Sequence, residues 1–89
     1  MKRLVATIEN LKKVKKGDIL RYSWGTEYEI IKIIDSDKNG IRVQLKCVLA
    51  TDIENIGDII SIYINFRSSG ITRILSNNFN EKLNKLLSI

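Results

Sequence analysis

Residues 17–28 read GDILRYSWGTEY, and the triplet GDI returns at residues 57–59. In each copy the glycine permits a tight turn and the aspartate is able to accept hydrogen bonds from nearby backbone amides. The isoleucine that follows is a residue type that favours strands. We interpret GDI as a device for starting a strand after a turn, used twice in this chain.

The same stretch continues through a strand, a turn and a second strand. A strand over residues 18–24 places Tyr22 and Trp24 on one face, with Leu20. The pair Gly25-Thr26 predicts a two-residue hairpin turn in which glycine takes the first, positive-φ position. We expect the face that carries the tryptophan to point inward, because burial is the commoner fate of a single tryptophan in a small domain.

Five glycines divide the chain into stretches of strand character. Proline is absent and isoleucine occurs sixteen times, so glycine marks the turns and β-branched residues favour strands. Further strands are predicted at residues 27–34, 41–49, 59–67 and 71–75. The apolar phase of the first of these changes near Ile30 and Ile31, which predicts a β-bulge. The polar turn after it ends in Asn39-Gly40, a strong hairpin signal.

Two helical segments flank the strands. Thr7 is the expected N-cap of a short helical turn over residues 7–14. Asn78 is placed to cap a helix over 79–88, whose apolar stripe comprises Phe79, Leu83, Leu86 and Leu87. Together these elements predict a mainly β fold: one domain over residues 1–89, built as a small five-stranded antiparallel barrel of SH3-like or OB-like type, with a short N-terminal helical turn and a C-terminal amphipathic helix.

The net charge of +5 is concentrated at one end of the chain. Residues 1–23 contain seven basic and two acidic side chains, whereas residues 24–89 contain eight of each. Such asymmetry favours an anionic partner more than the same charge spread over the surface would. A solvated basic face is the alternative interpretation.

Several classes of function are disfavoured by the sequence. It contains no phosphate-binding loop, no dinucleotide-binding motif, no nucleophile elbow and no histidine, so we expect no enzyme, no metal site and no cofactor. The single cysteine, Cys47, falls on the apolar phase of a strand and is expected to be buried and unreactive. Asp35, Asp37, Asn39 and Gly40 resemble the start of a calcium-binding loop, but Lys46 stands where the bidentate glutamate is required.

No apolar run approaches the length that spans a bilayer, and the first residues contain no apolar core of a signal peptide. We therefore expect no membrane partner, and the cytoplasm as the compartment.

The favoured function is nucleic-acid binding. If the strands at 41–49 and 59–67 pair, their outward side chains combine cations, amides and a tyrosine, which suit phosphates and stacked bases. The basic N-terminal segment would extend this surface. The predicted nucleic-acid-binding residues are Lys12, Lys13, Lys15, Lys16, Arg21, Arg42, Lys46, Tyr63 and Arg67.

The alternative is a protein-interaction module or inhibitor. Its contacts would be Tyr22, Trp24 and Tyr28, or an open strand edge. A homodimer formed through a sheet edge or through the predicted C-terminal helix is compatible with either function.

Overall fold

A computed structural model describes residues 2–76 as six antiparallel strands and one short helix. The elements are β1 (Lys2–Val5), α1 (Ile8–Lys12), β2 (Ile19–Tyr22), β3 (Glu27–Ser36), β4 (Gly40–Leu49), a 3₁₀ turn at Ile53–Asn55, β5 (Ile59–Asn65) and β6 (Ile71–Ser76). The strand order in the sheet is β1-β6-β2-β3-β4-β5. The mainly β, antiparallel prediction is confirmed, and each of the five predicted strands is present.

The prediction of a closed five-stranded barrel is wrong. The sheet is open and has six strands, and neither outer strand, β1 or β5, pairs on its second side within residues 2–76. The additional strand β1 lies against β6, and most of it is exposed. Its sequence, KRLV, has no alternating apolar pattern, so local periodicity does not indicate it. The helix predicted over residues 79–88 lies outside the described residues.

The sheet and α1 enclose one core of aliphatic and aromatic side chains. Its buried members are Leu11, Val14, Leu20, Tyr22, Ile30, Ile41, Val43, Leu45, Ile64, Phe66, Ile71 and Ile74. The predicted N-cap is confirmed, because the Thr7 hydroxyl accepts a hydrogen bond from the Asn10 N–H at 3.1 Å. This cap starts a five-residue helix whose Leu11 is fully buried, and such a side chain stabilises the fold by about 1.5–3 kcal/mol.

The first GDI segment starts β2 through a β-bulge. The Gly17 N–H donates to the Ile30 carbonyl at 2.8 Å, and the Ile30 N–H donates to the Asp18 carbonyl at 2.8 Å. Two residues of one strand therefore oppose one residue of the other, with glycine at a φ of 95°. The buried Asp18 carboxylate also accepts from the Lys15 N–H at 3.1 Å, which confirms the predicted role of the aspartate in the turn.

The second GDI segment repeats this bulge against β4. The Gly57 N–H donates to the Cys47 carbonyl, and the Cys47 N–H donates to the Asp58 carbonyl, both at 2.8 Å. The glycine has a φ of 96°, almost the same as in the first copy. The prediction that GDI starts a strand twice is confirmed, and the shared device is a glycine bulge.

Gly25 makes a third bulge of the same kind, opposite Tyr22. The Gly25 N–H donates to the Tyr22 carbonyl, and the Tyr22 N–H donates to the Thr26 carbonyl, both at 2.9 Å. The central residues of the turn are therefore Ser23 and Trp24, and the prediction of a two-residue turn at Gly25-Thr26 is wrong. Positive φ at Gly25 was predicted correctly, but the glycine follows the turn instead of opening it.

Further bulges bend the long strand β3. Its register against β4 shifts between Ile30 and Lys32 and again between Ile33 and Asp35, which leaves Ile31 and Ile34 as extra residues. The first shift confirms the bulge predicted from the change of apolar phase. Bulges increase local twist, and they let one strand curve around the core.

Replacing Gly57 tests the contribution of the second bulge. Nothing lies within 4 Å of a Cβ placed there, so the cost of Gly57→Ala is conformational and not steric. We expect it to lower the free energy of unfolding by about 1–2 kcal/mol, because alanine disfavours positive φ. Gly57→Asn should cost less, because asparagine tolerates this region better. Urea unfolding measures both variants, and an alanine variant as stable as the wild type would contradict the assigned role.

Candidate nucleic-acid interface

The basic segment runs from the end of α1 into the turn before β2. Lys12 is in the last turn of the helix, and Lys13 is its C-cap. Lys15 and Lys16 follow in the turn that the Asp18 carboxylate closes. All of these lysines except the half-buried Lys15 are exposed. The segment therefore presents its charge on a turn held by backbone hydrogen bonds.

One end of this segment lines a polar cleft of about 220 Å³, which we term the basic cleft. Three cations from separate parts of the chain meet there: Lys12 from α1, Lys38 from the β3–β4 turn and Arg67 from the residues after β5. The remaining lining residues are Ile8, Asn39, Asn65 and Phe66. No carboxylate lines the cleft among the residues that the structure describes. Such a group of cations and amides suits an anion.

Backbone hydrogen bonds hold the basic cleft together. The Phe66 N–H donates to the Asn39 carbonyl at 2.9 Å, which joins the β3–β4 turn to the end of β5. The Arg67 N–H donates to the Asn65 side-chain oxygen at 2.9 Å. Phe66 itself is buried and anchors this corner in the core. The positions of the cleft residues are thus set by the fold.

The β3–β4 turn is shaped by Asp37. Its Oδ1 atom accepts hydrogen bonds from the backbone N–H groups of Asn39 at 2.7 Å and Gly40 at 2.9 Å. The polar turn predicted from Asn39-Gly40 is confirmed, and it lies between β3 and β4. Within residues 2–76, no group of three or more acidic, cysteine or histidine side chains is arranged to hold a metal ion.

The predicted outward face of β4 and β5 exists, and it brings Arg42 and Tyr63 together. The two residues are directly opposite in the register, and the guanidinium carbon lies 5.9 Å from the centre of the tyrosine ring. This distance is within the range of a cation–π interaction. Lys46 lies further along the same face of β4, opposite Ile59.

Carboxylates balance the cations of this face. In the register with β3, Asp35 is opposite Arg42 and Glu29 is opposite Lys46. The Tyr63 hydroxyl donates to both oxygens of Asp37, at 2.9 and 3.1 Å. The face therefore attracts an anion less than the basic cleft does, because its cations and carboxylates alternate.

The Asp37–Tyr63 contact also affects the pKa values of both groups. Hydrogen bonds from the Asn39 N–H and from the Tyr63 hydroxyl hold the pKa of Asp37 below its usual value. Loss of hydration and the bond to Asp37 raise the pKa of Tyr63. The tyrosine hydroxyl therefore stays protonated at neutral pH and remains a donor to an ionised carboxylate.

Leu20 and Tyr22 are buried, so the predicted face does point inward within β2, but Trp24 is 63% exposed and the expectation that it is buried with them is wrong. The residue lies at the centre of the turn after β2, where the alternation of a strand no longer applies. Tyr22, which is still within β2, is buried. The prediction is wrong because it continues β2 through Ser23 and Trp24, which belong to the turn.

The three aromatic residues of the alternative site form one cluster. The rings of Tyr22 and Trp24 stack with centroids 4.6 Å apart, and Tyr28 meets Tyr22 edge-on at 5.5 Å. Burial, with a smaller effect of Tyr28, raises the pKa of Tyr22 to about 12, so this hydroxyl stays neutral. The Ser23 N–H donates to the Gly70 carbonyl at 2.9 Å, which fixes the turn to the loop before β6.

Sequence reasoning missed three charged residues. Lys38 joins the basic cleft, and Arg3 and Arg73 lie beside the predicted Arg21 on the β1–β6–β2 part of the sheet. The arginine grouping depends on pairing of β6 with β1 and β2, and the place of Lys38 depends on contact between the β3–β4 turn and the end of β5. Local spacing holds no signal for either. Cys47, by contrast, is buried as predicted.

Comparisons of this chain with models of protein families, with curated proteins and with solved structures found no match. No helix within residues 2–76 has the length and apolar character needed to cross a membrane.

Proposed function

We propose that this protein is a non-catalytic nucleic-acid-binding domain that contacts the phosphate backbone. The observation that supports the proposal is the basic cleft, where Lys12, Lys38 and Arg67 meet without a lining carboxylate in the described part of the chain. Cations of this kind neutralise phosphates and release condensed counterions, which dominates non-specific nucleic-acid affinity. The cytoplasm remains the predicted compartment.

The neighbouring lysines extend the cleft. Lys13 and Lys16 are exposed and follow Lys12 closely in the chain, and we assign them to the same binding surface. The amides of Asn39 and Asn65 add groups that hydrogen-bond phosphate or sugar oxygens. These contacts fix the position of a strand but do not read its sequence. The proposed binding is therefore largely independent of sequence.

The face with Arg42, Lys46 and Tyr63 has a smaller part in this proposal. Its tyrosine is 40% exposed but is already engaged by Asp37 and by the arginine. Stacking of a base would compete with these contacts. We assign this face a secondary role in binding.

Neutralising the cleft cations tests the proposal. We expect Lys12→Gln, Lys38→Gln and Arg67→Gln each to weaken binding of a fluorescent oligonucleotide by about tenfold at low salt, as for loss of a charge-assisted contact. Lys32→Gln is the matched control, because it removes one exposed charge from β3 at a position opposite Gln44. Fluorescence anisotropy measures the affinities, and circular dichroism checks that the variants fold.

Two results would contradict the proposal. One is an absence of oligonucleotide binding by the wild type at low salt. The other is an equal loss of affinity in the Lys32 control and in the cleft variants, because net charge alone would then account for binding.

A second candidate function is protein binding through the aromatic cluster. The specific observation is Trp24, an exposed aromatic ring stacked on a buried tyrosine and attached to a turn that Gly70 holds in place. Rigid aromatic side chains of this type dominate the energy of many protein interfaces. The edges of β1 and β5, which are unpaired within residues 2–76, offer a further surface for a partner or for a second copy of the chain.

Trp24→Ala separates this candidate from the first. If the aromatic cluster binds a protein, a complex recovered after nuclease treatment should lose the partner in this variant. Tyr63→Ala, which removes an exposed aromatic residue from the outer strand β5, away from the cluster, should retain it. A partner that both variants retain would contradict binding through the cluster.

A further inference from the structure

Three arginines gather on the outer face of the β1–β6–β2 part of the sheet. Arg21 on β2 is directly opposite Arg73 on β6, and Arg3 on β1 pairs with Leu75, which places it diagonally to Arg73. All three arginines are exposed. They line one cleft of about 80 Å³ with Leu75 and Glu27. We term these three residues the arginine cluster.

The arrangement is electrostatically unfavourable in the protein alone. Like charges directly opposite each other in a sheet are destabilising, and Arg21 and Arg73 are such a pair. Glu27, opposite Arg21 on β3, is the one carboxylate among the residues of 2–76 that line the cleft. Three guanidinium groups against one carboxylate leave an excess of two positive charges. A bound anion would relieve this repulsion.

The strands fix the arginines close enough to act on one ligand. Directly opposite residues of an antiparallel pair have Cβ atoms about 5 Å apart, and diagonal neighbours are within reach of long side chains. The Thr72 hydroxyl donates to the Arg21 carbonyl at 3.3 Å, which adds a side-chain tie between β2 and β6. Arg21 and Arg73 also line a wider depression beside the Ser23–Gly25 turn. The pair is therefore accessible from two sides.

Guanidinium groups are well suited to bind phosphate. Each has a planar set of donors that forms two parallel hydrogen bonds to phosphate oxygens, and its charge is permanent. Several such groups around one cleft contact more than one oxygen of the same ligand. The two lysines of the basic cleft, Lys12 and Lys38, act as point charges and lack this geometry.

We propose that the arginine cluster is a second site, separate from the basic cleft, which binds a phosphate group. The phosphate belongs either to a nucleic-acid backbone or to a free oligophosphate. The first source rests on the proposed nucleic-acid function, whereas the second does not. The two sites share no residue, so substitutions test them independently.

Thermal unfolding of the full chain at low ionic strength, with and without tripolyphosphate, tests the proposal. Tripolyphosphate should raise the Tm of the wild type. Without it, Arg73→Gln should unfold about 1–4 °C higher than the wild type, because the substitution removes the repulsion with Arg21. The same variant should bind tripolyphosphate about tenfold more weakly. Lys32→Gln removes a charge outside the cluster and should keep the stabilisation by tripolyphosphate.

Arg3→Gln is the second variant, because its residue lies on the outer strand β1, where a substitution disturbs packing least. It should also bind tripolyphosphate more weakly, which keeps the test decisive if the Arg73 variant does not fold. The proposal is overturned if the wild type gains no stability from tripolyphosphate, or if the cluster variants gain as much as the wild type.

Oligonucleotide affinity then distinguishes the two sources of phosphate. Loss of both tripolyphosphate and oligonucleotide affinity in the cluster variants assigns the site to the nucleic-acid backbone. Loss of tripolyphosphate affinity alone assigns it to a free oligophosphate. Failure of the basic-cleft variants to change oligonucleotide affinity would count against the proposed function and would leave the thermal result for the arginine cluster intact.

Discussion

The sheet depends on one backbone constraint, the glycine β-bulge. In each bulge a glycine with positive φ and the residue after it pair with a single residue of the neighbouring strand. Gly17, Gly25 and Gly57 each make such a bulge, opposite Ile30, Tyr22 and Cys47. Two of these bulges start β2 and β5, and the third closes the β2–β3 hairpin. Because a slip of one residue exchanges the two faces of a strand, each bulge helps to decide which side chains enter the core and which face outward.

Both charged sites follow from this arrangement. The turn at the first glycine bulge follows the basic segment directly, and α1 carries Lys12 to the corner where the β3–β4 turn meets the end of β5. Pairing of β6 with both β1 and β2 gathers arginines from distant parts of the chain. The excess positive charge of residues 1–23 is thus divided between two sites. Each site also contains cations from residues 24–89, a part of the chain that has no net charge.

Sequence patterns predicted the strands and the helix that depend on residues close together in the chain. Alternation and glycine punctuation located five strands, and the capping pattern at Thr7 located α1. The same reasoning missed β1 and predicted a closed barrel, because strand pairing across the length of the chain has no local signal. Trp24 was misplaced because the β2–β3 turn begins two residues earlier than the glycine suggested. The basic segment was identified, but its partner Lys38 was not, since nothing in the spacing relates the two.

We propose that cations of the basic cleft bind a nucleic-acid backbone. The dependence of wild-type oligonucleotide affinity on salt concentration tests it most directly, because counterion release makes the logarithm of the binding constant fall linearly with the logarithm of salt concentration. Three phosphate contacts predict a slope of about −2 for a single strand. A binding constant that does not change with salt would contradict the claim.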